Sequence, residues 1–286
     1  MNPVLLASHP KLNLFLHILG RTDDQYHLLQ SLICFLPDLE DQILLTPAPR
    51  LSFSVSGPYQ HHVPLQDNSL TRLISSLERD RLLSHSYDIH LIKNIPAQSG
   101  LGSSSSHATA LLHYLAPQLG LEKKYQILRP IGADSFCFLE KKTVLVEGIG
   151  EKITPLHFEL PPVYAVIFWP NFGCATPKIY QALRDDPSFS FQDKISIPSI
   201  SDFSSLMDFL KTQTKNDLQN YACQTQPALK HVLSSFDPYF VRLTGSGSAC
   251  ASLVSTYDEA LDLKACLQKN HPEIFSHGWF GISKCV

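Results

Sequence analysis

Apolar and polar positions trade places along this chain with two different periods, and the changes of period mark its elements. Leu12, Leu14, Leu16 and Ile18 recur at every second residue of "LNLFLHI", which predicts a strand over 12–18. Residues 42–56 read as two short strands around a proline turn. Over 69–83 the period lengthens: Leu70, Leu73, Ile74 and Leu77 form the stripe of a helix, with Asn68 or Ser69 as its cap. "YDIHLIK" at 87–93 alternates again, and Asn94-Ile95-Pro96 ends that strand. Further on, Ala108, Leu111, Leu112, Leu115 and Leu119 fall on one face of an amphipathic helix.

The second half continues the mixture. "TVLVE" at 143–147 and the apolar run "VYAVIFW" at 163–169 predict strands, the latter buried on both faces. Between them "HFELPPVY" at 157–164 is stiffened by Pro161 and Pro162 and reads as a domain junction. Residues 184–204 are rich in Asp, Pro and Ser and predict a long loop. Helical patterns follow near 205–212 and over 217–234, then a strand–turn at 239–254, a helix at 257–269 and a short final strand. Strands and helices mix without strict alternation, so the expected class is α+β in two domains, 1–158 and 159–286.

Bulk composition narrows the function classes. A length of 286 residues suits two domains of about 150 residues each. Apolar residues make up 44% and charged residues 17%, enough to bury a core without staples. The net charge of −3 argues against a general binder of nucleic acid or of anionic membranes. It leaves phosphate ligands open, because a local field in a cleft can oppose the net charge. The seven cysteines are odd in number and scattered, which fits reduced thiols in the cytoplasm better than a disulfide framework or a zinc site, and no other metal-ligand set stands out. The opening "MNPVLLASHPKLNLF" lacks a basic n-region, and no apolar run approaches the ~20 residues of a membrane span. A cytoplasmic monomer or weak homodimer is expected, with a small molecule as its partner.

One stretch carries candidate chemistry. "IPAQSGLGSSSSHATALL" (95–112) places two glycines and four serines directly before the amphipathic helix. No lysine follows Gly102, so it is not a P-loop, and no third glycine completes a dinucleotide fingerprint. Glycines allow close backbone approach, and the first turn of a helix presents unpaired N–H groups to an anion. Serine hydroxyls add donors, or a ligand for Mg²⁺. A Ser-rich linker is the alternative, but a linker would not be wedged between a strand and a helix without a gap. No Gly-x-Ser-x-Gly elbow occurs, which disfavours a serine hydrolase.

"PAQSGLGSSSSHATALL" resembles the Pro-x-x-x-Gly-Leu-Gly-Ser-Ser signature of the GHMP kinases. "HPKLNLFLHILGRTDDQYHLLQSLICFL" (9–36) resembles the first motif of that superfamily, and "RLTGSGSACASLV" (242–254) its third. The first motif, with "IGADSFCFLEKKTVLVEGIGEKITPL" (131–156), is most similar to the branch acting on a cytidine diphosphate-linked methylerythritol. The resemblance implies a ribosomal-S5-domain-2-like N-terminal domain and a ferredoxin-like C-terminal domain, with the active site in the cleft between them. It also implies transfer of the γ-phosphoryl group of ATP, with Mg²⁺, to the 2-hydroxyl of the methylerythritol unit. A homoserine or mevalonate type of kinase is the nearest rival, and a catalytically silent nucleotide-binding protein the next.

The resemblance assigns residues. Pro96, Ala97, Gln98, Ser99, Gly100, Leu101, Gly102, Ser103, Ser104, Ser105 and Ser106 would hold the nucleotide phosphates. Asn68 would contact the adenine side, with helix capping as its other role. Asp134 would accept the proton of the substrate hydroxyl, and a nearby Lys11 ammonium would keep it ionised; a turn aspartate and a solvated lysine are the plain alternatives. Asn13 would bind polar groups of the substrate or serve as a buried structural amide. Tyr26, His27 and Tyr180 would form the cytosine pocket, although Tyr26 also fits a core aromatic, and Thr176 would be the substrate threonine. Leu156, Gly245, Ser246 and Gly247 complete the substrate side. Some positions depart from the family pattern: Gln25 stands where relatives carry glycine, Ser135-Phe136 where they carry a small apolar residue and proline, and His107 where they carry asparagine. Ser99, Ser103 and Ser104 replace glycines. His107 is expected on the helix surface or against phosphate.

Overall fold

A computed structural model describes residues 3–83, 85–140 and 142–286. Its strands are β1 Val4–Ser8, β2 Lys11–Arg21, β3 His27–Phe35, β4 Asp41–Ala48, β5 Ser52–Ser56, β6 Ser86–Ile92, β7 Val144–Gly148, β8 Lys152–Pro155, β9 Tyr164–Trp169, β10 Arg242–Leu243, β11 Cys250–Val254 and β12 Trp279–Lys284. Its helices are α1 Ser69–Arg79, α2 Ser103–Leu115, α3 Leu121–Leu128, α4 Thr176–Arg184, α5 Phe203–Gln213, α6 Gln219–Thr225, α7 Ala228–Ser234, α8 Tyr257–Asn270 and α9 Pro272–Phe275. Among the described residues no helix is long and apolar enough to cross a membrane.

By compactness the chain divides differently from a single cut at 158/159. One unit comprises Met1–Pro10, Leu39–Ala97 and Gly102–Lys141, the other Lys11–Asp38, Gln98–Leu101 and Lys142–Val286. The first unit is a sheet in the order β1-β4-β6-β5 with α1, α2 and α3. β4 and β5 do not form a hairpin: both bond to β6, β4 antiparallel and β5 parallel. α1 follows the sequence closely. Asn68 caps it, and its buried residues are Ser69, Leu70, Leu73, Ile74 and Leu77. That apolar stripe packs with Ala108, Leu111 and Leu112 of α2 among the buried residues of the unit.

The second unit holds two sheets, β2-β3-β7-β8 and β10-β11-β9-β12, with α4 to α9. β9 lies between β11 and β12, antiparallel to both, so both its edges are paired, and its residues from Ala165 through Trp169 are buried. Phe168, Phe236 and Phe275 centre the core there. β2 is buried from Lys11 through Ile18, including its polar residues Lys11, Asn13 and His17. Buried polar groups must find partners, and those on β2 mark where the chemistry is gathered. The helix expected over 217–234 is two, α6 and α7, separated at Pro227, which has no N–H for a continuous ladder. The long loop exists but is tied down: Gln192 N donates to Ile18 O at 2.9 Å, and the Gln30 carboxamide bonds both backbone groups of Ile195.

Candidate active site

Lys11 and Asn13 project from the same face of β2, and both are buried. Lys11 Nζ donates to Asn13 Oδ1 at 2.5 Å and to the carbonyl of Gly100 at 2.7 Å. Asn13 is in turn held from three directions: its N–H donates to Thr244 Oγ1 at 3.0 Å, its Nδ2 to Ser31 Oγ at 2.8 Å, and its Oδ1 faces the ammonium. The ammonium is therefore held in a fixed place by these two oxygens. A cation fixed in this way is poised for an anionic ligand without reorganisation.

Both glycine stretches close on this point. Gly100 has φ +80°, and a Cβ there would collide with the carbonyl of Thr244. Gly245 has φ +55°, and a Cβ there would lie 3.4 Å from Lys11 Nζ and from Asn13 Oδ1. Only glycine gives this backbone both its left-handed turn and its closeness. Further pairs fasten the loops, Ala249 N to Ser99 O at 3.0 Å and Cys174 N to Gln98 O at 3.3 Å.

Gly102, in a left-handed conformation at φ 72°, opens α2 without any capping side chain. α1, α5 and α8 all carry capping boxes. The leading amides of this 13-residue helix are thus left for another acceptor. Ser103 Oγ is buried and has no hydrogen-bond partner. The remaining serines divide. Ser106 Oγ donates to His9 O at 2.6 Å and accepts from Ser8 Oγ at 2.7 Å, a structural role. Ser105 is buried, Ser104 exposed, and Ala97 N donates to His62 Nδ1 at 3.4 Å.

Behind this helix lies a network that the sequence did not announce. Asp41 Oδ2 accepts from Lys93 Nζ at 2.5 Å and from His107 Nε2 at 2.8 Å. Asp41 Oδ1 accepts from the N–H groups of Asn94 and Ile95 at 2.7 and 2.9 Å. Burial works to raise the Asp41 carboxyl, but the His107 hydrogen bond and the Lys93 charge outweigh it and hold it at about 2. Burial lowers the His107 pKa more than Asp41 raises it, so the ring is neutral and donates Nε2–H. His107 is therefore neither a surface residue nor a phosphate contact: it is buried against Asp41.

Asp134 is exposed, on a 3-10 turn over Ala133–Ser135. Cys137 Sγ donates to its carbonyl at 3.0 Å, and Thr109 Oγ1 of α2 donates to the carbonyl of Ser135 at 3.1 Å. The Thr109 bond fastens the turn to α2, and the Cys137 bond ties it to the residues that follow, despite the departure at Ser135-Phe136.

On the substrate side, the His27 and Tyr180 rings lie 5.0 Å apart between centroids. Burial, reinforced by Arg21 and Arg184, holds the His27 pKa at about 4, and its Nε2 is buried without a partner. One turn earlier on α4, Thr176 Oγ1 bonds Ser246 Oγ at 2.7 Å, which links the helix to the Gly245–Gly247 loop. Tyr26 is 63% exposed and so is not a core aromatic. Leu156 is half-buried after β8, its N–H bonded to Thr143 O at 3.2 Å. Asn68 is buried and fills the capping role: Oδ1 accepts from Leu70 N and Thr71 N, and Nδ2 donates to Pro64 O.

Known proteins place this arrangement. Residues 68–135 match the model of the GHMP kinases N terminal domain. The chain is 33% identical over 291 residues to a 4-diphosphocytidyl-2-C-methyl-D-erythritol kinase of Agrobacterium fabrum, covering 96% of this chain and 93% of that one. A crystal structure of 4-(cytidine 5'-diphospho)-2C-methyl-D-erythritol kinase superposes with a TM-score of 0.75 at 27% identity, over 99% of each chain. A homoserine kinase from Cytophaga hutchinsonii shares the fold alone, with a TM-score of 0.65 at 14% identity, over 100% of this chain and 95% of that one. The chain belongs to the GHMP kinases, in the family of 4-diphosphocytidyl-2-C-methyl-D-erythritol kinases.

Proposed function

We propose that this chain transfers the γ-phosphoryl group of ATP to the 2-hydroxyl of 4-diphosphocytidyl-2-C-methyl-D-erythritol, giving the 2-phosphate and ADP, a step in the non-mevalonate route to isoprenoid precursors. The observation that carries the reading is the Lys11 ammonium, held by Asn13 Oδ1 and Gly100 O where the two glycine stretches meet. Phosphoryl transfer depends mainly on positioning and electrostatics, and a fixed cation beside two fastened glycine loops supplies both.

The uncapped first turn of α2 takes the nucleotide phosphates. The unpartnered Ser103 hydroxyl suits the hard oxygen coordination of Mg²⁺, which would balance the charge of the nucleotide. Asp134 accepts or orients the proton of the acceptor hydroxyl, and Lys11 stabilises charge on the attacking oxygen. His27 and Tyr180 hold the cytosine, with Tyr26 closing over its other face. Asn68, the cap of α1, serves the adenine side. In functional terms 1–158 supplies ATP binding together with Lys11, Tyr26, His27 and Asp134 of the acceptor side, and 159–286 adds Thr176, Tyr180 and the Gly245–Gly247 loop.

The test is an ADP-release assay with the cytidylated acceptor, its uridylated analogue, homoserine and mevalonate. Turnover is expected with the first alone, because a site that pairs with cytosine leaves polar groups unmatched against uracil. Equal turnover of the uridylated analogue would remove the cytosine assignment. Turnover of homoserine or mevalonate would give the chain to another branch.

A further inference from the structure

The loop around Gly245 has two backbone bonds of its own, Thr244 N to Ala249 O at 3.1 Å and Gly247 N to Thr244 O at 2.9 Å, and neither involves Gly245. β10 pairs with β11 for two residues, Arg242 and Leu243, and the chain then turns through Gly245 at φ 55° and Gly247 at φ 83°. Small residues offer little bulk to pack, so the shape must come from the partners of the backbone. Several of those partners come from one segment. Asn216 Nδ2 donates to Leu243 O and to Gly245 O, both at 2.8 Å. Gln219 Oε1 accepts from Leu243 N at 3.0 Å. Asn216 Oδ1 accepts from Leu218 N at 3.0 Å, so the carboxamide has one orientation only.

The same segment also grips β2. Leu16 N donates to Lys215 O at 3.0 Å, Asp217 N to Leu16 O at 2.9 Å, and Ile18 N to Asp217 Oδ2 at 2.8 Å. The Arg242 guanidinium adds bonds to Leu14 O, Thr214 Oγ1 and Thr214 O. A short stretch, 214–219, therefore holds both the strand that carries Lys11 and Asn13 and the loop that carries Gly245.

We infer that Asn216 is a positioning residue for phosphoryl transfer: its carboxamide fixes the Gly245 backbone over Lys11 and Asn13, and so fixes the space left for the acceptor. The inference rests on the proposed function for its kinetic consequence but not for its geometry. A displacement of ~1 Å at such a point costs on the order of 100-fold in rate. Alanine at 216 leaves two carbonyls without their donor, aspartate sets carboxylate oxygens against them, and serine keeps one hydroxyl donor.

The full chain and its Asn216→Ala, Asn216→Asp and Asn216→Ser variants are compared by steady-state kinetics with ATP and the cytidylated acceptor. Thermal unfolding and hydrogen exchange across 243–248 are measured alongside. For Asn216→Ala the acceptor KM is expected to rise roughly 10-fold or more and kcat to fall, while the ATP KM stays within about 2-fold. Exchange should quicken across 243–248, and Asn216→Ser should fall between the wild type and Asn216→Ala in each readout. A lower Tm with unchanged acceptor KM and kcat would make Asn216 a structural residue and overturn the inference. An equal rise in both KM values would do the same. If Asn216→Ala and Asn216→Asp do not fold, Asn216→Ser decides by the same criteria. If the wild-type chain does not turn over the acceptor, the proposed function falls, and exchange alone judges Asn216: faster exchange supports its hold on the loop, and unchanged exchange refutes it.

Discussion

The His27 imidazole lies 5.0 Å from the Tyr180 ring, tilted by 37°, and its Nε2 has no hydrogen-bond partner although it is buried. A buried polar atom left without a partner costs free energy that a ligand can recover. A base set against these rings gains stacking of about 1–3 kcal/mol, and a base edge can meet Nε2. Tyr180→Ala is expected to raise the KM for the cytidylated acceptor by roughly 5- to 150-fold, the same energy written as a ratio. The ATP KM should stay unchanged. Steady-state kinetics with each substrate varied in turn checks it, and an ATP-side effect of similar size would move these rings away from the acceptor.

Asp134 offers a sharper separation of chemistry from folding. Its side chain is exposed, and its turn is fastened through the backbone: the carbonyls of Gly132, Asp134 and Ser135 accept from Ser135 N, Cys137 Sγ and Thr109 Oγ1. Replacement by asparagine keeps the shape and removes the charge. Asp134→Asn is expected to lower kcat by roughly 10²–10⁴-fold with the fold intact by circular dichroism. Full turnover in this variant would remove Asp134 from the reaction.

How far the sequence reached depends on the distance over which its signals act. α1 was legible because its cap and stripe are local: Asn68 and Leu70, Leu73, Ile74 and Leu77 all occupy their expected places. Gly100 and Gly245 were legible as glycines, and the structure adds that each sits against backbone or polar atoms from far along the chain. The Asp41–Lys93–His107 network was not legible, since nothing in spacings of 52 and 66 residues announces a shared carboxylate. His107 read as a surface or phosphate residue because a lone histidine early in a helix carries no sign of what it will be buried against. Asn216 was missed for the same reason: its partners Leu243 and Gly245 are backbone carbonyls, which leave no trace in residue type.

That network makes a prediction about stability. Lys93 is buried beside Asp41, so removing the carboxylate strands an ammonium away from water. Breaking one side of such a pair costs about 3–5 kcal/mol, whereas replacing both sides with apolar groups costs far less. Asp41→Asn is therefore expected to lose about 3–5 kcal/mol in urea unfolding, and Asp41→Leu/Lys93→Met to be the more stable of the two variants. A double variant no better than Asp41→Asn would mean that Asp41 matters mainly through the Asn94 and Ile95 amides.

Acid should weaken the fold in two windows. Burial lowers His27 to about 4 from an ordinary 6.5, and burial also lowers His17 and His107. With the folded value below the unfolded one, the unfolded chain takes up the proton first as pH falls. This contribution is whole above 6.5 and is lost as pH falls toward about 4. The Asp41 contribution is whole above 3.8 and is lost as pH falls through about 2. Urea unfolding at a series of pH values should show stability declining below 6.5, and His27→Gln should flatten part of that decline. An unchanged slope in His27→Gln would show that its ring is solvated in the folded chain.

Gln25 stands in the turn between β2 and β3 with φ 66°, a left-handed conformation that costs a residue with a side chain on the order of 1 kcal/mol. The turn is closed by Thr22 N to Tyr26 O at 2.8 Å and Gln25 N to Thr22 O at 2.9 Å, so the backbone cannot relax without giving up these bonds. Glycine adopts this conformation freely, but it also enlarges the unfolded ensemble, which takes back part of the gain. Gln25→Gly is expected to stabilise the chain by roughly 0.5 kcal/mol in urea unfolding, and Gln25→Ala to give no such gain. Equal effects of the two variants would mean that the Gln25 side chain, rather than its backbone angle, governs the turn. Because Tyr26 follows directly and is exposed, the same pair of variants also reads whether this turn sets the acceptor site. A change in the acceptor KM for Gln25→Gly with an unchanged ATP KM would place the turn on the cytosine side.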